Sequence, residues 1–420
     1  MRVLYTLVWY LLIPLVLLYF FWRGRRAPAY RQRWRERFGC HGGAVPGSVW
    51  IHAASVGEVV AAAPLIEALL QRYPNTPLVV TTTTPTGSER VQALFGGRVR
   101  HGYWPWDVPG ALRRFWRTCS PRLVILLEME LWPNLVAEAR RRGVPVVLAN
   151  GRLSASSHRG YGRVRALVRP MLAAFEALAV QTPEEAVRFI DLGADPARVA
   201  VTGNIKFDMA LDDSLRARAA ALRQSLGARP IWIAASTHPG EDEIVLAAHE
   251  QLRARHPTAL LVLVPRHPER FAAVATLARE RGHVVVVRSS GDLPGVDTSV
   301  YLADTMGELL MLYGVADIAF VGGSLVPVGG HNLLEPALWQ LPILSGPVLH
   351  NFTQVAALLD DAGALQRVAG EQALADALTE LVGAEAIRRE RGQAAAQVVA
   401  AHRGALGRLM AVLVPHWPAP

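Results

Sequence analysis

Apolar residues in this chain follow two patterns. Residues 3–22 form one stretch of twenty positions without a charge, with Tyr5, Trp9, Tyr10, Tyr19 and Trp22 among them. An α-helix of that length spans about 30 Å of hydrocarbon, so the stretch predicts a membrane anchor. After it, the pattern alternates. The runs at 49–54, 78–84, 122–128, 144–150 and 177–181 are continuous or β-branched, as expected of parallel strands buried on both faces. Between them, residues 58–73, 110–118, 134–142 and 184–192 carry apolar positions at helical spacing. The last two stop at Gly143 and Gly193, the residue type favoured just past a helix end.

The alternation restarts after a charged stretch at 211–229, with apolar runs at 230–236, 259–265, 283–289, 317–324 and 341–346. A second sheet is implied. The expected fold class is therefore α/β, with two Rossmann-like domains facing a cleft and an N-terminal membrane-anchor helix ahead of them. The expected boundaries are an anchor at 1–22, a basic juxtamembrane segment at 23–47, a first domain at 48–210 and a second at 211–420. Two domains also suit 420 residues, given roughly 100–200 residues per domain.

Composition narrows the class. With 51% hydrophobic and 19% charged residues the chain is globular rather than disordered. Its two cysteines, Cys40 and Cys119, have neither a CxxC spacing nor histidines at ligand spacing, so no disulfide scaffold or zinc site is indicated. Net charge is +9, and between Arg23 and Arg37 seven Arg and Glu36 give 7 − 1 = +6. Only 9 − 6 = +3 is left for the rest, which argues against a nucleic-acid binder. An Arg run directly after an apolar span predicts a cytoplasmic location for the residues C-terminal to it, with anionic headgroups near the basic collar. A cleaved signal peptide would have a shorter apolar core and small residues before Arg23. Pro14 in mid-span leaves crossing and in-plane helices both open.

Ligands of open α/β sheets sit at the carboxyl ends of strands, so the candidates are the residues just after the apolar runs. Glu58 follows the run 49–54 at a helix start, where it is either a general base or an ordinary helix-start carboxylate. Glu128 and Glu130 follow 122–128; as an i, i+2 pair they suggest a metal site only weakly, because an extended chain points them to opposite faces. Lys206 is the only lysine against 43 arginines, and a compact ammonium can meet developing negative charge where a planar fork does not fit. Gly322, Gly323 and Ser324 open a glycine-rich stretch before a helix, whose backbone N–H groups can cradle a phosphate. Glu335, one turn into that helix, can accept from ribose hydroxyls. Arg266 and His267 follow 259–265 and can hold a phosphate or a base. No GxxxxGK[ST], no GxGxxG after a strand and no HExxH occurs, against a P-loop NTPase, an ordinary dinucleotide oxidoreductase or a zincin.

In order and spacing, SVGE (55–58), TPTGSERV (84–91), EMELWPN (128–134), GNIKFD (203–208), STHPGE (236–241), PRHPERF (265–271), DTMGEL (304–309) and FVGGSLVPVGGHNLLEP (320–336) carry a resemblance to a family. The chain resembles the Kdo (3-deoxy-D-manno-oct-2-ulosonic acid) transferases of lipopolysaccharide biosynthesis, a two-domain GT-B family, from the anchor through most of its length. The resemblance implies inverting transfer of Kdo from CMP-Kdo to a lipid A precursor, lipid IVA. In it Glu58 is the general base, and Glu128 and Lys206 support the transition state. CMP is implied to lie against Arg266 and His267, the turn Met306, Gly307 and Glu308, and Asn332, Leu333, Leu334 and Glu335.

No cofactor and no metal are expected, because CMP leaves as a monophosphate whose charge protein donors can meet. The implied setting is the cytoplasmic face of the inner membrane, with a single N-terminal anchor. The implied partners are CMP-Kdo, the lipid acceptor and an anionic membrane surface, and no nucleic acid. Arg152, Arg159, Arg163, Arg165 and Arg169 form a second basic group, either for acceptor phosphates or as a solvated helix face. A GT-B transferase using a UDP-sugar and a non-catalytic lipid or sugar-nucleotide binder are the competing readings.

Overall fold

The computed structural model describes every residue except Arg26, Ala44, Ala419 and Pro420, so one arginine of the basic collar lies outside the described residues. The chain forms two compact units: Met1–Asp208 with His402–Pro420, and Met209–Ala401.

The first unit is built on seven parallel strands: β1 (Val49–His52), β2 (Leu78–Thr82), β3 (Arg100–Tyr103), β4 (Leu123–Leu127), β5 (Val146–Gly151), β6 (Ala177–Val180) and β7 (Val199–Val201). Their order is β3-β2-β1-β4-β5-β6-β7. β1, β2, β4, β5 and β6 are buried along their whole length, which is why they read as unbroken apolar runs. Polar residues at the strand ends then start the helices. Ser55 caps Val56–Arg72, Thr84 caps Pro85–Phe95, and Thr182 with Glu185 forms a capping box on Pro183–Asp191. Gly143 and Gly193 take positive φ just past their helices, as expected.

The second unit repeats the plan with β8 (Ile231–Thr237), β9 (Leu260–Pro265), β10 (Val285–Val287), β11 (Val300–Leu302), β12 (Ile318–Val321), β13 (Ile343–Ser345) and β14 (Leu365–Arg367). All pairings are parallel, in the order β10-β11-β9-β8-β12-β13-β14. The strand order reverses between β1 and β4 in one sheet and between β8 and β12 in the other, the crevices where such folds bind ligands. Two such units behind an apolar helix constitute the expected GT-B fold.

The structure adds what the apolar runs did not signal. β3, β7, β11 and β14 are three or four residues long, and β3 reads RHGY, so no run marks them. The last residues also differ from the expected second-domain extent of 211–420. The helix Ala405–Leu413 packs Ala405, Leu409 and Leu413 into the first unit's core. There, Asp208 accepts from the backbone N–H groups of Gly404 and Leu406, Arg408 donates to the Thr202 carbonyl at 2.8 Å, and Trp417 stacks on Tyr73. Most of these contacts join residues some two hundred or more positions apart, which no local pattern announces.

One close approach gives a direct test. A Cβ on Gly392, inside the helix Glu385–Ala401, would lie 1.9 Å from the Gln340 carbonyl oxygen. Gly392→Ala should destabilise the second unit by about 1–3 kcal/mol through overpacking, despite alanine's better helix propensity. An unchanged or raised melting temperature would refute that packing.

Candidate functional site

The first unit gathers its ionisable groups at the carboxyl ends of β1 and β4. Glu58 sits in the first turn of Val56–Arg72, where its Oε2 accepts from the Ala54 N–H at 2.8 Å and its Oε1 from the Ser55 hydroxyl at 3.0 Å. Burial, then the charge of Glu130, pushes the carboxyl up to about 7, with Glu128 adding to the shift and the Ala54 and Ser55 hydrogen bonds opposing it. A carboxylate that titrates near neutrality results.

Glu128 and Glu130 diverge, but not by strand alternation as expected: β4 ends at Leu127, and a turn closed by the Glu130 N–H donating to the Leu127 carbonyl sends the two carboxylates to different partners. Glu128 holds a left-handed φ of 52° and pairs with the Lys206 ammonium at 2.8 Å. Lys206 lies on the 3-10 turn Ile205–Asp208, pinned by buried Ile205 and Phe207 and by the Asn204 side chain accepting the Lys206 N–H. Glu130 accepts from Trp132 Nε1 at 2.8 Å and faces His52 Nε2 at 3.2 Å. Burial opposes its ionisation, but these two partners outweigh that and hold its pKa below the usual range.

His52 is fully buried, its ring against Trp104 with centroids 3.8 Å apart. Its Nδ1 lies 3.0 Å from Thr81 Oγ1, which itself accepts from Trp50 Nε1 at 2.9 Å. Nδ1 lies equally close, at 3.0 Å, to the Thr81 carbonyl, which can only accept, so a proton on Nδ1 serves that carbonyl and one on Nε2 serves Glu130. This chain of Trp50, Thr81, His52 and Glu130 was not singled out from the sequence. The only trace there was a histidine and a threonine inside otherwise apolar strands.

In the second unit, a cavity of about 240 Å³ opens at the ends of β8 and β9, lined among others by Ser236, Arg266, Met306, Gly307, Asn332 and Glu335. Ser236 takes a left-handed φ of 57° where the β8–β9 register shifts, a bulge that turns the strand end at the cavity. Of the remaining expected nucleotide residues, Leu333 and Leu334 are buried in the core. Glu308 aims its carboxylate at Arg288, 3.0 Å away, so it shapes the turn around Gly307, φ 86°, rather than the cavity wall. His267 packs edge-on to His238, whose Nε2 meets His331 Nε2 at 2.8 Å. Burial, then Arg266, lowers His331 to about 3, so that pair shares a hydrogen bond as neutral imidazoles. Asn332 accepts from the Leu334 N–H and donates to Glu335, which orders the start of that short helix.

The glycine-rich loop does not do what its composition suggests. The Gly323, Ser324 and Leu325 N–H groups all donate to Glu241, which is fully buried and also accepts from the His238 N–H. Gly329 and Gly330 donate to the Gly323 carbonyl. The expected backbone cradle is thus already filled by the protein's own carboxylate. Gly322 is needed because a Cβ there would come within 2.9 Å of that carboxylate. Arg266 is the cationic side chain on the cavity wall. Of the second basic group, Arg159, Arg163, Arg165 and Arg169 are exposed, and Arg165 pairs with Asp191.

Comparison with known proteins adds to this geometry. A family profile described as 3-deoxy-D-manno-octulosonic-acid transferase (kdotransferase) matches residues 32–209. A 3-deoxy-D-manno-octulosonic acid transferase of Haemophilus influenzae is 43% identical over 99% of this chain and 98% of its own. One of Bordetella pertussis is 38% identical over 98% of both. Among solved structures, a UDP-GlcNAc 2-epimerase from Neisseria meningitidis superposes with a TM-score of 0.57 at 15% identity, covering 88% of this chain and 100% of that one, which speaks to the fold alone.

The clasp in the second unit is testable without substrate. Glu241→Gln puts an amide among four backbone donors and should cost about 3 kcal/mol, read by calorimetry as a lowered melting temperature. A wild-type transition would show that the four contacts do not hold the loop.

Proposed function

Since the chain belongs to the 3-deoxy-D-manno-octulosonic acid (Kdo) transferase family, we propose that it transfers Kdo from CMP-Kdo to a lipid A precursor, lipid IVA, with inversion and with Glu58 as general base. The observation that carries the proposal is the setting of Glu58, a partly buried carboxylate near pKa 7 beside the Glu128–Lys206 pair. Glu58 takes the acceptor hydroxyl proton as that oxygen attacks the oxocarbenium-like anomeric carbon from the face opposite CMP. A carboxylate that titrates near 7 is a stronger base than an ordinary glutamate, yet is still substantially ionised at neutral pH.

Glu128 offsets the positive charge on the reacting sugar, and the Lys206 ammonium meets negative charge developing in the transition state. Arg266, His267, Met306, Gly307, Glu308, Asn332, Leu333, Leu334 and Glu335 form the proposed CMP site, with Arg266, Asn332 and Glu335 at the cavity wall and Leu333 and Leu334 holding it from the core. In this reading the enzyme works on the cytoplasmic face of the inner membrane, where its lipid acceptor and anionic headgroups lie. The exposed arginines 159, 163 and 169 are then available to acceptor phosphates.

The purified protein, given CMP-Kdo generated in situ and a tetra-acylated lipid A precursor in EDTA, should yield lipid with Kdo-sized mass additions. Unmodified lipid, where a known transferase works in parallel, would overturn the donor and acceptor assignment and turn attention to UDP-sugars. Glu58→Ala should lower the transfer rate by about 10²–10⁴-fold while CMP affinity, measured by calorimetry, stays at the wild-type value.

The pH dependence has a definite sign. The base must be ionised, so kcat/KM should fall as pH drops below about 7. Glu130→Gln removes a like charge that helps hold Glu58 up, so that acidic limb should move to lower pH. A limb that stays in place would separate Glu130 from the tuning of the base.

A further inference from the structure

The N-terminal helix Arg2–Arg23 is 22 residues long and carries no charge between its terminal arginines, enough by length and composition to cross a membrane. Its packing points elsewhere. Tyr5, Thr6, Trp9, Ile13, Val16, Leu17 and Phe20 are its partly covered positions, one stripe at helical spacing, and each has a partner in the first unit. The Tyr5 hydroxyl donates to Asp107 at 2.9 Å, and Thr6 and Asn134 exchange a hydrogen bond of about the same length. Trp9 lies against Trp132, with centroids 6.3 Å apart. Ile13, Val16, Leu17 and Phe20 pack on Trp106, Val108 and Ala111.

The far end is tied as well. The Arg37 guanidinium lies over Phe20 and donates to the Thr83 carbonyl, and Arg31 donates to the Phe21 carbonyl. Asp107 makes the attachment selective. It is wholly buried and accepts from the Asn134 and Leu135 N–H groups at the start of the helix Pro133–Arg141 as well as from Tyr5. Pulling the anchor away would strip that carboxylate of its hydroxyl donor and open the Trp106 cluster to solvent.

A helix about 33 Å long whose two ends are both fastened to one folded, polar-surfaced unit cannot also have its middle in the hydrocarbon core of a crossed bilayer. Its other face is exposed. Val3, Leu7, Leu11, Leu15, Leu18 and Trp22 follow one another at three- and four-residue steps, each 55% exposed or more. Arg2, Arg23, Arg25 and Arg35 are exposed around the ends of the helix, whereas Arg37 of the basic run is consumed inside the unit.

We propose that this helix lies in the plane of an anionic bilayer surface rather than crossing it, with its inner stripe fixed to the first unit and its outer face in the lipid. Exposed apolar residues at helical spacing flanked by arginines and by Tyr10, Tyr19 and Trp22 fit the headgroup boundary of such a bilayer. Because Trp9 touches Trp132, and Trp132 holds Glu130, this geometry brings the loop of Glu128 and Glu130, whose charges act on the proposed base Glu58, to the lipid surface, where an acceptor sugar would stand. The inference rests on the reading of the helix as a membrane anchor, and its test does not use transferase activity, so it stands or falls separately from the donor and acceptor.

In a Cys40→Ser background, a cysteine in a short extension before Met1 should react with a membrane-impermeant maleimide in inside-out vesicles and stay unlabelled in right-side-out vesicles. Labelling in right-side-out vesicles overturns the proposal. In the same membranes, the pair Thr6→Cys and Asn134→Cys should form a disulfide on mild oxidation. A pair that links in detergent but not in the membrane would show that the helix leaves the unit to cross, and would also overturn it.

Discussion

A parallel strand covered on both faces has no side free for chemistry, and both sheets of this protein are built around such strands. Reactive groups are therefore confined to the strand ends, where the chain leaves the sheet and backbone polar groups need new partners. The crevices between β1 and β4 and between β8 and β12 are where neighbouring connections run to opposite sides and leave room. Glu58, Glu128 and Glu130 occupy the first. Ser236, Glu241 and the glycine-rich loop occupy the second.

Such confinement puts several carboxylates in different environments at short range, and each environment sets a different task. Glu58 is largely withdrawn from water, and burial first, then the charges of Glu130 and Glu128, outweigh its backbone amide and serine hydroxyl, so its proton affinity rises to about 7. Glu130 has a histidine and a tryptophan as donors and stays ionised. Glu128 is paired with a lysine, and Glu241 is enclosed by four amides. In the proposed reaction, this separates a carboxylate that titrates near neutrality from neighbours held in ion pairs and hydrogen bonds.

The N-terminal helix joins the same network from outside. Asp107 caps the helix just after the loop of Glu128 and Glu130, and it also receives Tyr5, so the anchor and the site share one carboxylate. Burial first of all, only partly offset by those donors, raises Asp107 to about 6, which makes each of the donors worth keeping. Membrane attachment and the shape of the reactive loop are in that sense a single packing problem.

Much of this was legible along the chain. Continuous apolar runs gave ten of the fourteen strands because burial on both faces leaves an unambiguous signal. Glycines at 143 and 193 marked helix ends, and Glu58 and Glu128 were picked out by their positions after apolar runs and Lys206 by being the only lysine. The resemblance then supplied the chemistry that position alone left open. Short strands such as β3 and β11 carry too few residues for a pattern. The return of the last helix to the first unit depends on Asp208 and Thr202 meeting residues two hundred positions away. A glycine-rich loop looks the same whether it cradles a phosphate or an internal Glu241, and a twenty-residue apolar span looks the same whether or not one stripe of it has partners. Sequence by itself thus determined the ten strand segments marked by apolar runs, about where they end and which residue types stand there, because those depend on local burial and spacing. Only tertiary structure decided which donors each carboxylate receives, and with them the proton affinity of Glu58, the occupant of the loop and the attachment of the anchor, because those depend on distance in space rather than along the chain.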